Sequence, residues 1–269
     1  MPYSFHKDKQ AYFTMQRDVT LSHIIPFVQK SLPDFNIKNA TILEVGCGEA
    51  GVLQAFLEQG AGHCVGIELS KGRAELAKSF LGSANEADRF SILVQNIHDA
   101  SVQAQFQSTF DLIVLKDVIE HIHDRPKMMA TLKSLLKPNG AIFFGFPPWQ
   151  MPFGGHQQNS TSSIIKATPW IHLLPVDVYL GLVKIFDNRP GFIAGKREIR
   201  DTRISIGDYE SLMGSTGFYE VARIDYLSNP IYAYKFGFEP TEQVSWISKL
   251  PGLRNFITTC VYSIVKSND

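Results

Sequence analysis

Apolar residues in this chain fall into two kinds of stretch. Short branched or aromatic runs occur at residues 41–45 (TILEV), 64–67 (CVGI), 90–94 (FSILV), 111–115 (DLIVL) and 141–146 (AIFFGF). They are nearly continuous rather than alternating, as strands buried on both faces must be. Between them the spacing becomes helical: Val52, Leu53, Phe56 and Leu57; then Ala74, Leu76, Ala77, Phe80 and Leu81; then Met128, Met129, Leu132, Leu135 and Leu136. Ser70 stands where a helix N-cap belongs, and Lys137-Pro138-Asn139-Gly140 is a stop-and-turn signal before the fifth strand. Strand and helix alternate, which predicts an α/β fold with a doubly wound, mostly parallel sheet and ligands at the carboxyl ends of the strands.

Flanking this core are less regular segments. Residues 1–40 carry helically spaced Val19, Leu21, Ile24, Ile25, Phe27, Val28 and Leu32 before Pro33, predicting a helical cap. Its Tyr3, Phe5, Tyr12 and Phe13 are candidate ligand contacts, although packing is the simpler role for each. Residues 149–200 are rich in proline, glycine and aromatics, with a helix predicted over 176–186. A helix starting near Asp208 and strands over 218–226 and 256–265 complete seven strands, with a second insertion at 229–255. The expected organisation is one domain: cap 1–40, binding core 41–148, substrate or lid insertion 149–200, and a C-terminal part 201–269.

The chemistry concentrates after the first strand. Gly46, Gly48 and Gly51 have G-x-G-x-x-G spacing, in which missing Cβ atoms let backbone approach a nucleotide or a neighbouring helix. Glu44 lies inside the strand end, where a charge is costly without a partner. Glu68 closes the second run, at the distance where a neighbouring strand offers an acid to ribose hydroxyls. Together these residues describe a nucleoside pocket. LEVGCGEAG and GIELS resemble the S-adenosylmethionine motifs of class I methyltransferases, and FDLIVLKDVIEHI and LKPNGAIFF resemble that family's fourth strand and the turn before its fifth. The resemblance covers residues 41–148. It implies a seven-stranded sheet ending in an antiparallel hairpin, S-adenosyl-L-methionine as cofactor, and contacts from Glu44, Gly46, Cys47, Gly48, Glu68, Leu69, Asn96, Ile97 and Lys116. Related enzymes place an acid after the third strand to accept from the adenine amino group; here Asn96 or Asp99 has to serve.

Composition narrows the rest. The 26 acidic and 26 basic side chains balance, so no global field favours nucleic acid or an anionic membrane, although local patches are compatible with that balance. Cys47, Cys64 and Cys260 are widely spaced without CxxC, which suits packing in a reducing compartment. No apolar run reaches the roughly 18 residues that span a bilayer, so a soluble, cytoplasmic protein is expected, with no transmembrane segment.

Methyl transfer from a sulfonium needs a nucleophile held in line and water kept out. Asp117, Glu120 and His121 would share one face of a helix after strand four, and His121 is the natural base, with His156 the second candidate. The same set resembles the metal ligands of some O-methyltransferases acting on quinone precursors or RNA ends, with His156 as a fourth ligand. No metal is assigned, and a divalent ion is the less favoured reading. Trp149, Phe153 and His156 are expected to wall an acceptor site. His98 and the Lys196, Arg197, Arg200 and Arg203 cluster read as solvated, and His172 has no evident partner. The expected function is methyl transfer to a small-molecule acceptor, at oxygen. The alternatives are a nicotinamide-dependent oxidoreductase and a cofactor-binding regulatory protein without turnover.

Overall fold

The computed structural model describes residues 8–81 and 87–268; the candidates Tyr3 and Phe5 lie outside them. One eight-stranded sheet runs through them, built from β1 (Thr41–Val45), β2 (His63–Ile67), β3 (Phe90–Leu93), β4 (Phe110–Lys116), β5 (Leu136–Phe146), β6 (Phe218–Ser228), β7 (Thr241–Glu242) and β8 (Cys260–Ser267). Their spatial order is β3-β2-β1-β4-β5-β8-β6-β7, with β1 to β5 parallel and β8 antiparallel to both β5 and β6. The expected count was seven. The eighth strand is the two-residue β7 inside the second insertion, which pairs with the end of β6 through Tyr226↔Glu242 and Ser228↔Thr241. A polar pair beside Pro240 carries no hydrophobic alternation, so only the pairing reveals it. It covers part of an edge that would otherwise be open.

Helices cover both faces. They are α1 (Lys9–Val19), α2 (Ile25–Ser31), α3 (Gly51–Glu58), α4 (Lys71–Leu81), α5 (Ala100–Phe106), α6 (Arg125–Leu135), α7 (Ser163–Ala167), α8 (Val176–Phe186), α9 (Pro190–Asp201), α10 (Ile206–Ser215), α11 (Ile231–Phe236), α12 (Ser245–Ser248) and α13 (Leu253–Ile257). One turn of π-helix, Thr20–Ile24, joins α1 to α2. Phe143 and Phe144 show how the sheet divides the core: Phe143 joins Phe27, Phe56 and Tyr262 on the α1–α4 side, and Phe144 joins Leu132, Leu135 and Tyr209 on the other. Alternate side chains of a strand point to opposite faces, so adjacent phenylalanines serve separate layers. Helix α5, which the spacing did not announce, contributes Val102 and Phe106 to the second layer. The strand expected over 256–265 begins only at Cys260, because 253–257 are helical.

Three local features position the site. The Lys137-to-Gly140 turn loops out of β5, whose pairing with β4 jumps from Phe110↔Leu136 to Leu112↔Ala141. Asp117 has a positive φ of 56°, and only a single 3-10 turn, Ile119–His121, follows before α6. Asp117, Glu120 and His121 therefore do not share a helix face as expected. The Asp117 amide is tied to the Gly145 carbonyl at 2.7 Å, which turns the chain off before a helix can propagate. Arg125 then bonds the carbonyls of Ile119, Thr202 and Arg203, clamping this turn to the chain beyond α9.

Gly66 links the sheet to the glycine loop. A Cβ there would lie 2.7 Å from both Cys47 Sγ and Ile92 Cδ1, and 3.0 Å from Leu53 Cδ1. Gly66→Ala is expected to destabilise by about 1–3 kcal/mol through overpacking, read as a lower urea midpoint with unchanged slope. An unchanged midpoint would show that the layer between β2 and the loop yields freely.

Candidate functional site

The ligand edge holds a cavity of about 650 Å³. Its floor is the loop after β1, which is pinned from two sides. The amides of Gly46 and Cys47 both donate to the Ile67 carbonyl, at 2.8 and 3.1 Å, and the Gly48 amide donates to Glu68 Oε2 at 3.0 Å. Gly46 and Gly48 have φ of 69° and 55°, which side chains adopt only with strain. A Cβ at Gly46 would also press on Val118 Cγ2 at 2.8 Å, and one at Gly48 would run into the Arg73 guanidinium.

Glu68 is the buried acid of this floor. Its second oxygen accepts from the Ser70 amide at 2.8 Å, and Arg73 stands 3.6 Å from the first. Arg73 also reaches Glu49, which Lys9 of α1 bonds at 2.7 Å, so α1 is strapped across the loop by charge. Tyr12 and Gln16 of α1 line the cavity, while Phe13 packs against Phe80 with ring centroids 5.1 Å apart. Glu44 does not line the cavity. It is buried beneath the loop with Oε2 unpartnered, and burial pushes its carboxyl well above the usual range despite Lys116 and Arg73.

Leu69, Asn96, Ile97 and Lys116 line the walls, with Gly46 and Cys47. Asn96 and Asp99 shape the turn after β3 rather than standing free: Asn96 Oδ1 accepts from the His98 amide at 2.9 Å, and Asp99 Oδ2 accepts from the Asn96 amide at 3.0 Å. His98, expected to be solvated, lines the cavity and contacts Thr131 Oγ1 at 3.2 Å. Burial would push Lys116 down, but Asp117 at 2.7 Å more than offsets it, so the ammonium is held charged.

At the far wall His121 faces the cavity, and His156 stands behind it with ring centroids 5.2 Å apart. Burial lowers the pKa of His121, and lowers that of His156 further, to about 3, with help from His121 and Lys196. Both rings are neutral near pH 7. One nitrogen of each lies within 4.8 Å of a Glu120 carboxylate oxygen, and that buried carboxylate has neither oxygen bonded. Burial first, and Asp117 second, raise the Glu120 pKa well above the usual range.

The 149–200 insertion meets the cavity differently from expectation. Glu198 of α9 is its residue in the lining, whereas Trp149 and Phe153 are not part of it. Trp149 is buried, its ring edge-on to His172 at 4.6 Å and its carbonyl bonded to His172 Nε2 at 2.8 Å, which gives His172 its partner. Lys196 is not solvated: it is buried, donates to the carbonyls of Gly155 and His156, and is pushed down to about 7 by burial. It thereby fixes His156, whose φ is 52°. Sequence reasoning missed Arg73, Glu49 and Glu198. A KGRAE segment opening α4 carries no motif, and these charges gain meaning only through the partners that folding sets beside them.

A parallel sheet with a pinned glycine loop and a buried acid on the next strand defines a Rossmann-like nucleoside-binding protein. The sequence model of the methyltransferase-domain family matches residues 15–163, and the chain belongs to that family, with the class I S-adenosylmethionine-dependent methyltransferase fold. An uncharacterised Haemophilus influenzae protein is 30% identical over 145 residues, covering 51% of this chain and 56% of that one. A Pasteurella multocida ubiquinone biosynthesis O-methyltransferase is 33% identical over 108 residues, covering 38% of this chain and 44% of its own. The matches thus span about half the length of these curated relatives. Geranyl diphosphate C-methyltransferase from Streptomyces coelicolor A3(2), solved with Mg²⁺, geranyl diphosphate and S-adenosyl-L-homocysteine, shares the fold at a TM-score of 0.55 and 13% identity, over 91% of this chain and 76% of that one.

The raised pKa of Glu44 has a stability consequence. The native state keeps a proton that the unfolded chain releases above the ordinary value, so this contribution is full at acid pH and lost as pH rises toward the raised value. Glu44→Gln is therefore expected to gain on the wild type by up to about 1.4 kcal/mol per pH unit above that ordinary value. Urea midpoints at pH 4.5 and 7 measure it; equal wild-type and variant trends would mean that Glu44 is ionised.

Proposed function

We propose that this protein transfers the methyl group of S-adenosylmethionine to an oxygen of a small-molecule acceptor. The observation that carries the reading is the Gly48 amide locked onto Glu68 at the floor of a cavity of about 650 Å³ whose far wall presents neutral His121. The site suits the cofactor: Gly46 and Gly48 hold positive φ values that a side chain would adopt only with strain, and each Glu68 oxygen keeps a lone pair beyond its one amide bond. Glu68 would take the ribose hydroxyls, Gly46 to Gly48 would lie along the methionine part, Leu69, Asn96 and Ile97 would border the base, and Lys116 would stand beside the reacting end. When bound, the cofactor supplies the electrophilic methyl.

The chain's own work is then positioning and proton handling. Tyr12 and Gln16 from α1 roof the cavity and exclude water. His121, neutral at physiological pH, accepts the acceptor's hydroxyl proton, and His156, held by Lys196, fixes its ring. Support for oxygen comes from the O-methyltransferase relative, whose name places it in ubiquinone biosynthesis. Within a single domain, residues 41–148 would hold the cofactor, with acceptor contacts from 149–200 made through Glu198. A nicotinamide-dependent oxidoreductase is disfavoured by the family, and a regulatory protein without turnover by the neutral histidine in the wall.

Glu120, His121 and His156 raise a second reading, a divalent ion that acidifies the acceptor. The donor set fits it less well. Asp117, the natural fourth ligand, is neutralised by Lys116, and burial raises the Glu120 pKa well above the usual range, against the carboxylate form a metal needs. Full methyl transfer in excess chelator is the expected result; loss in chelator with recovery on Mg²⁺ would favour the ion.

The main test is calorimetry with S-adenosylhomocysteine beside a turnover assay. Glu68→Ala is expected to lose about 1.5–3 kcal/mol of affinity, the worth of hydrogen bonds to a charged group. His121→Ala should keep affinity and lose about 10²–10⁴-fold in kcat, as removal of a general base does. Unchanged affinity in the first variant, or unchanged kcat in the second, would defeat the corresponding assignment.

A further inference from the structure

The net charge of zero conceals a partition. Residues 149–200 hold six Lys or Arg against three Asp or Glu, residues 229–255 hold three against two, and the remainder holds 17 against 21. The two insertions are thus net positive by four and the rest of the chain net negative by four. Both emerge at one edge of the sheet. β8 is antiparallel to both β5 and β6, so β5 and β6 run the same way, and each ends at the edge where the cavity opens.

The same insertions carry most of the uncovered apolar surface. Of the nineteen large apolar side chains exposed among the described residues, six lie in 149–200 and seven in 229–255. Helix α8 is apolar on two faces. Tyr179, Leu180 and Val183 are buried in the small core of the insertion, whereas Val178, Ile185 and Phe186 point outward, with Ile185 75% exposed. This outer side also carries exposed Asp177 and Lys184, and among the described residues its apolar side chains stay exposed to solvent. In the second insertion Phe238 is 60% and Trp246 63% exposed, with Lys249 exposed on the chain just after α12. Aromatic and aliphatic side chains interleaved with lysines suit the boundary between lipid headgroups and acyl chains.

From these observations we infer that the two insertions form a docking face for an anionic lipid surface, which holds the mouth of the cavity at the membrane boundary. No described helix is long and apolar enough to cross a membrane, so the contact is peripheral. A second copy of this chain fits the face less well. A two-fold interface would set two net-positive surfaces against each other, whereas anionic headgroups complement them.

The test uses the full chain, no acceptor and no turnover, so its outcome is independent of the methyl-transfer reading. Co-sedimentation with mixed phosphatidylcholine–phosphatidylglycerol vesicles is expected to pellet the protein, with less pelleting in high salt and on phosphatidylcholine alone. Ile185→Asp and Trp246→Asp should each lower the apparent affinity at least about tenfold, which corresponds to ~1.4 kcal/mol. S-adenosylhomocysteine affinity should stay unchanged, reporting an intact fold. Lys249→Glu, which alters no buried group, gives the same direction should an aspartate variant fold poorly. Wild type that stays in the supernatant with mixed vesicles overturns the inference, as do variants that pellet like wild type. A dimer by light scattering that Ile185→Asp converts to monomer would assign the face to a second copy and likewise overturn it.

Discussion

The site depends on one constraint: two parallel strands must end level, so that the loop after the first can be bonded by the end of the second. The β1–β2 register sets Val45 beside Ile67. Only then can the Ile67 carbonyl receive the Gly46 and Cys47 amides, and the next residue, Glu68, receive that of Gly48. Gly66 permits this closeness, because any side chain there would occupy the volume of Cys47 and Ile92. The loop is thereby rigid before a ligand arrives, and the entropy of ordering it is met by folding rather than by binding.

Around that floor the charges form chains rather than isolated pairs. Lys9, Glu49, Arg73 and Glu68 connect α1, the glycine loop, α4 and the end of β2. Lys9 and Arg73 are about two-fifths exposed while both acids are buried, so the acids rather than the cations set the geometry. At the opposite wall the balance reverses. Burial lowers the pKa of His121 and His156 and raises that of Glu120, so each of the three shifts toward its uncharged form. Lys116 and Asp117 lie between the two regions as a bonded pair.

The insertions carry a small core of their own around Tyr179 and Val183, yet leave the outer face of α8 bare. Polar links within the first insertion hold it together: Lys196 to the Gly155 and His156 carbonyls, and Arg200 to those of His172 and Leu174. The wall behind His121 is in this way built by the insertion, although α9 sends only Glu198 into the cavity lining.

What the sequence by itself determined are the features that local pattern controls. Buried strands must read as apolar runs, and Gly46 and Gly48 stand where positive φ is required, so the α/β order, the loop and Glu68 were legible. The helix expected over 176–186 is present with those bounds. The tertiary structure decided everything that rests on distant partners. Asp117 left the expected helix because Gly145, 28 residues on, captures its amide. Lys196 was buried rather than solvated because two carbonyls 40 residues away satisfy its ammonium. β7 exists only because β6 offers it an edge. Periodicity reports which face of an element is covered, whereas the partner of a polar side chain is fixed by packing, and no local pattern encodes it.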